Sequence, residues 1–241
     1  MNSGSDGGGD KQPVIGLIHT VSTLVVTFDQ LVREMGGKSG VQAQHIVDEA
    51  LLIATRREGL TTLTMRHLLS YAVAAQESGV DLVLVTCSSL GPAVDMISPL
   101  VDVPVLRVDE AMADNAIRMG HRIGVVATLE TTLTPTVELI ERGADRVGVD
   151  VVLDVRLCEG AFDAARRGDP DRHDEVILSE LRSLIPNVDV VILAQASMER
   201  ALGGLEPSDR KIPVLTSPRF AVRAALDVLL AAPRATSPLP G

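Results

Sequence analysis

Val83-Leu84-Val85-Thr86-Cys87-Ser88-Ser89-Leu90-Gly91 runs from an apolar stretch straight into a thiol and hydroxyls. A short apolar run bounded by turn residues reads as a strand buried on both faces, the signature of a parallel sheet covered by helices. In open α/β sheets ligands sit beyond the carboxyl ends of the strands. The step from Val85 to Cys87 is therefore where chemistry is expected.

A second run of the same kind, Val188-Asp189-Val190-Val191-Ile192-Leu193-Ala194, opens into Gln195-Ala196-Ser197. The offset from Cys87 to Gln195 is 195 − 87 = 108 residues. The offset between the Ile-Gly pairs Ile15-Gly16 and Ile123-Gly124 is also 124 − 16 = 108. A repeat on this scale suggests two copies of one parallel-sheet α/β plan, duplicated lobes facing one another. The expected division is residues 13–108 plus 214–231 for the first lobe and 109–213 for the second.

Around these anchors the chain alternates strand and helix. Val14–Ile18 reads as a strand and Leu24–Met35 as a helix stopped by Gly36-Gly37. Val41–Val47 is a strand with one polar face, and 48–57 an irregular stretch or short helix. Helical spacing returns at Thr64–Gln76 and Gly91–Leu100, with a short strand at Val103–Leu106. Asp109 reads as the N-cap of a helix ending at Gly120. In the second half Arg122–Ala127 is a strand, Thr128–Thr132 a hydroxyl-rich turn, and Pro135 sits in the first turn of a helix reaching Arg146. Further strands are expected at Val149–Leu157 and Val214-Leu215, and helices at Asp163–Arg167, Asp174–Ile185 and Phe220–Leu230. Residues 1–12 are rich in Gly, Ser and Asp and 232–241 in Pro, so both read as flexible tails.

Composition narrows the function. A net charge of −10 and a sequence pI near 4.9 oppose nucleic-acid binding, which needs clustered Lys and Arg to displace counterions. Aromatic residues make up 2% of the chain and Trp is absent, which disfavours base-stacking surfaces and points to a small polar ligand. Two cysteines provide neither a disulfide framework nor CxxC metal spacing and fit a reducing cytoplasm. No long apolar run or basic leader pattern calls for a membrane.

A buried cysteine is often only a small hydrophobe. That bland role suits Cys158, within Arg156-Leu157-Cys158-Glu159. Cys87 differs because Thr86, Ser88 and Ser89 flank it at a strand end, where N–H groups of a following helix lower a thiol pKa and hydroxyls bind a carboxylate. Thr128 and its neighbours either cap the next helix or donate to that carboxylate. His19 is either a structural histidine or a base beside Thr20, while His45, His67, His121 and His173 read as solvent-facing or capping.

These residues resemble the aspartate/glutamate racemase superfamily, together with its hydantoin racemase, maleate cis-trans isomerase and arylmalonate decarboxylase relatives. The likeness is carried by Ile15-Gly16-Leu17-Ile18-His19-Thr20, Thr86-Cys87-Ser88-Ser89, Ile123–Thr128 with Thr131-Thr132 and Pro135-Thr136, and Leu193–Met198. It implies two pseudo-symmetric α/β lobes with the site in the cleft between them, no cofactor, and in the racemases one cysteine from each lobe acting on opposite faces of a carbon; no HExxH or paired His ligands for a metal occur. Cys87 matches the first cysteine, but the second position holds Gln195, which has no proton to transfer near pH 7. The expectation is a single-cysteine enzyme, racemase, isomerase or decarboxylase-like, acting at the carbon α to a carboxylate of a small acid. Cys87 is its catalytic group, and His19, Thr20, Thr86, Ser88, Ser89, Thr128, Thr132, Gln195, Ala196 and Ser197 bind substrate. The alternative is a carboxylate sensor that kept the cleft and lost the chemistry. The resemblance also implies a homo-oligomer.

Overall fold

In the computed structural model, residues 12–209 and 211–231 are described, and the two expected tails lie outside them apart from residue 12. The first half gives β1 (Val14–His19), α1 (Leu24–Gly36), β2 (Gln42–Val47), α2 (Glu49–Glu58), α3 (Thr62–Glu77), β3 (Leu82–Val85), α4 (Gly91–Ile97) and β4 (Val105–Arg107). The second gives α5 (Glu110–Met119), β5 (Arg122–Ala127), α6 (Glu130–Val147), β6 (Val152–Leu157), α7 (Ala161–Arg166), α8 (Pro170–Leu184), β7 (Val190–Leu193), β8 (Val214–Thr216) and α9 (Ser217–Ala231).

The strands form two sheets of identical order, β2-β1-β3-β4 and β6-β5-β7-β8, with every pairing parallel. The repeat extends to register. Gly16 lies opposite Val83, and Gly124, 108 residues on, lies opposite Val191. The central strands β3 and β7 are buried on both faces because each is sandwiched between two helical layers. Val83 and Val85 face one apolar cluster while Leu82 and Leu84 face another, and Val190 and Ile192 split from Val191 and Leu193 in the same way. That double burial makes these strands continuous apolar runs. In each sheet the order places the switch in winding direction between two central strands, β1 with β3 and β5 with β7, where a crevice opens at their carboxyl ends.

Three expectations change. β8 pairs with β7, so 214–216 belong to the second sheet, completing the pattern that β4 completes in the first. Only α9 returns to the first lobe, where Val222, Ala225 and Leu226 pack with Phe28 and Val32 of α1. Thr131 and Thr132 are not in a turn: α6 starts at Glu130, and Pro135 lies inside it, with Thr136 donating its hydroxyl to Thr132 O at 2.8 Å. Finally, Asp109 does not cap α5 with its side chain. Its carboxylate is fully buried and takes two bonds from Arg107, Nε at 2.7 Å and Nη2 at 3.0 Å, so the nearer, stronger charge-assisted partner wins over the helix N–H groups.

Candidate active site

Cys87 and Gln195 occupy matching places. Each follows a central strand, each has extended backbone (φ −128°, ψ 109° and φ −128°, ψ 133°), and each carbonyl accepts the N–H three residues on at 3.0 Å, from Leu90 and Met198, starting a 3-10 turn. The two turns face each other across the cleft. A chamber of about 50 Å³ lies between them, lined among others by Thr20, Thr86, Cys87, Thr132, Gln195 and Ser197. Ser88, Ser89 and Ala196 also line it.

The backbone N–H groups of Leu90 and Ser89, which the sequence reading expects, act on the Cys87 thiol together with the Thr20 hydroxyl, which it does not. The sign of its shift is nevertheless opposite to the sequence expectation. Burial pushes the thiol up, the three donors pull only part of the way back, and the nearby Asp109 carboxylate adds to the rise. A thiolate without bulk water costs more than a few oriented donors return. At neutral pH Cys87 holds its proton.

The Arg107 guanidinium behind it explains Gly91. A Cβ there would collide with the guanidinium, which also donates to Asp95 from Nη1 at 2.8 Å. Gly91 has ordinary helical backbone (φ −50°, ψ −50°), so close approach and not backbone freedom requires glycine.

Opposite Cys87, the Gln195 Oε1 accepts both the Thr128 N–H at 2.6 Å and the Thr128 hydroxyl at 2.9 Å. A backbone N–H can only donate, so the atom it meets is the amide oxygen and the NH₂ is left as the other end. Thr128 thus orients Gln195 and does not itself line the chamber. The two serines join the lobes: Ser88 donates to Ala194 O at 2.9 Å, and Ser89 pairs with Thr132 at 2.8 Å between hydroxyl oxygens.

His19 is fully buried behind the chamber wall and is not among the chamber's lining residues. Its Nδ1 is 2.9 Å from the Thr86 hydroxyl and its Nε2 is 3.0 Å from Nδ1 of His45, with the two rings stacked at 5.2 Å. Burial, helped by the facing His45, lowers its pKa to about 4. A neutral ring in that position supports Thr86 and cannot serve as a base for a ligand in the chamber. His45 is therefore neither solvent-facing nor capping. It pairs in register with Leu17, two residues before His19 on the same face, a neighbour visible only once the register of β1 and β2 is known. His173 is also buried, with Nδ1 2.8 Å from Asp174. Cys158 fits its structural reading, fully buried and pushed up to about 12 by burial and then by Glu180. Sequence reasoning missed the apolar wall of the chamber, Val21, Leu24, Leu52, Leu129 and Phe162, which carries no motif.

Two α/β lobes of identical strand order, with the Cys87 thiol and the Gln195 amide lining one chamber, define a two-lobed α/β class of protein. The Asp/Glu/hydantoin racemase family model matches residues 15–225, and the chain belongs to that family. Solved structures with the same fold include an aspartate racemase from Picrophilus torridus (14% identity, TM-score 0.67, covering 90% of this chain and 94% of that one). An allantoin racemase from Klebsiella pneumoniae aligns at 17% identity and TM-score 0.64, covering 91% and 88%. A glutamate racemase from Thermus thermophilus in complex with beta-chloro-D-alanine aligns at 20% identity and TM-score 0.64, covering 91% and 81%. No curated protein matches. Among the described residues no helix is long and apolar enough to cross a membrane, and no group of three or more His, Cys, Asp or Glu is placed to hold a metal ion.

Proposed function

We propose that this racemase-family chain is a one-thiol enzyme that transfers a proton at the carbon α to a carboxylate of a small acid. The observation that carries the reading is the chamber itself. Among its lining residues Cys87 is the one side chain with a titratable proton, and the opposite wall carries the Gln195 amide.

The carboxylate binds against hydroxyls and the Gln195 amide, which stabilise the negative charge that builds on its oxygens when the α-carbon becomes planar. Once its own proton has passed to solvent, the Cys87 thiolate takes the α-proton, so that the C–H bond breaks, an S–H bond forms and the electron pair moves onto the carboxylate oxygens. The N–H groups of Leu90 and Ser89 and the Thr20 hydroxyl each favour the charged sulfur and so ease formation of the thiolate. In reverse, after the S–H has exchanged with solvent, the thiol returns a proton to the planar carbon from the same side, re-forming the C–H bond and labelling the product.

With acid and base on one side only, isotope enters the α-position faster than configuration inverts. The test incubates 2-substituted acids in deuterated water and follows label by NMR and configuration by chiral chromatography. Label outrunning inversion in the wild type, and its loss in Cys87→Ser, supports the reading. Equal turnover by Cys87→Ser removes the thiol from the mechanism, and inversion as fast as labelling would show a second acid on the opposite face.

A further inference from the structure

The chamber at Cys87 does not end at the cleft wall. A second cavity of about 300 Å³ adjoins it and shares Thr20, Val21, Leu52, Phe162 and Ser197, which form a neck between the two. About 50 Å³ holds only a few water-sized groups, enough for a carboxylate and its α-carbon and little more. Whatever else the acid carries must pass through the neck.

The outer cavity says what that is. Leu52 and Val21 from the first lobe and Phe162 from the second make the neck apolar, and Ile53 and Ala165 continue the apolar wall outward. Of its ionisable residues Arg56, Glu49 and His173 already have partners, and Arg166 is exposed to solvent. Arg56 lies over the Phe162 ring at 4.2 Å and 3.7 Å from Asp163. Glu49 accepts the Ser22 N–H at 3.0 Å with Arg166 close by, and His173 is held by Asp174. Groups matched among themselves give little reason to select an ionic side chain, whereas the apolar wall gains from being covered.

We infer that the outer cavity is a subsite for a bulky apolar group on the α-carbon, a branched alkyl or ring, so that this chain takes a larger and less polar acid than one with a short acidic side chain. The inference rests on the inner chamber being the carboxylate site.

Two acids that differ in one substituent test it, 2,2-dimethylpropanoate and 2-cyclohexyl-2-methylpropanoate. Neither has a removable α-proton, so calorimetric binding is independent of the thiol chemistry and is measured in wild type and in Cys87→Ser. The cyclohexyl acid is expected to bind at least about tenfold more tightly than the dimethyl acid in both proteins. Two substitutions at exposed positions probe the wall, Ala165→Phe to fill the cavity and Ile53→Ser to make it polar. Each is expected to cut the ratio of the two affinities at least about threefold. Equal affinities in the wild type, no measurable binding of the cyclohexyl acid, or a ratio that survives both substitutions would overturn the subsite. A preserved ratio with no α-exchange by the wild type would instead refute the proton-transfer reading and leave the subsite standing.

Discussion

Acidification should destabilise this protein through His19, and by a calculable amount. The folded pKa of about 4 lies below the ordinary 6.5, so between these values the unfolded chain binds a proton that the folded chain refuses. Stability therefore rises with pH across this window and falls as pH drops from 6.5 to 4; above 6.5 both states are neutral and the group contributes no slope. The gap of 6.5 − 4 = 2.5, at about 1.36 kcal/mol per pH unit, is worth roughly 3 kcal/mol when the window has been crossed. The same ring has both nitrogens placed, one against Thr86 and one against His45, so protonation also forces a donor onto a neighbour that must turn to accept it. Urea unfolding of wild type and His19→Asn between about pH 7 and pH 4.5 isolates the effect, because carboxylates such as Asp189, whose lowered pKa moves its loss to more acid conditions, titrate alike in both. The wild type should lose more stability than the variant on acidification, and His45→Gln should raise the NMR-detected pKa of His19 by removing the facing ring that helps lower it. Parallel pH profiles for wild type and His19→Asn would refute the assignment of His19 as a buried neutral ring.

The remaining expectations concern single contacts. Gly124→Ala places a Cβ 2.6 Å from Leu184 Cδ2 in a packed core and should cost about 1–3 kcal/mol in denaturant unfolding, whereas its counterpart Gly16→Ala meets Val80 only at 3.3 Å and should cost distinctly less. Ser88→Ala leaves the Ala194 carbonyl without its cross-lobe donor and should lower stability by about 1–3 kcal/mol, read from the urea midpoint; an unchanged midpoint would show that the bond does not hold the lobes together. Gln195→Glu keeps an acceptor for Thr128 but puts a negative charge on a residue that lines the chamber, so calorimetry with 2,2-dimethylpropanoate should show at least about tenfold weaker binding.

Much of the architecture was readable because burial on two faces forces a recognisable composition. Val83–Val85 and Val190–Leu193 could hardly be anything but central strands, and the 108-residue offset survives in the register of the sheets. The edges were harder. Val214–Thr216 is too short for periodicity, so its sheet is set by pairing with β7, and Pro135 marked a helix start that lies five residues earlier because the first turn tolerates threonines and the ring sits past it. At the site, Cys87, Thr20 and Gln195 were legible as polar residues at strand ends. The apolar wall of Val21, Leu52 and Phe162 was not, since such residues look like any core until two lobes bring them to one neck.

By itself the sequence determined the repeated α/β plan, the placing of one thiol and one amide at equivalent strand ends, and the absence of a second cysteine to match the first. Local chemistry suffices for these, because strand periodicity and residue type are properties of neighbours along the chain. Only the tertiary structure decided the upward direction of the Cys87 shift, the withdrawal of His19 behind Thr86 and the orientation of Gln195 by Thr128. Each depends on how much water is excluded and on which group arrives from the other strand or lobe, and desolvation and hydrogen-bond geometry are set in space, not in order along the chain.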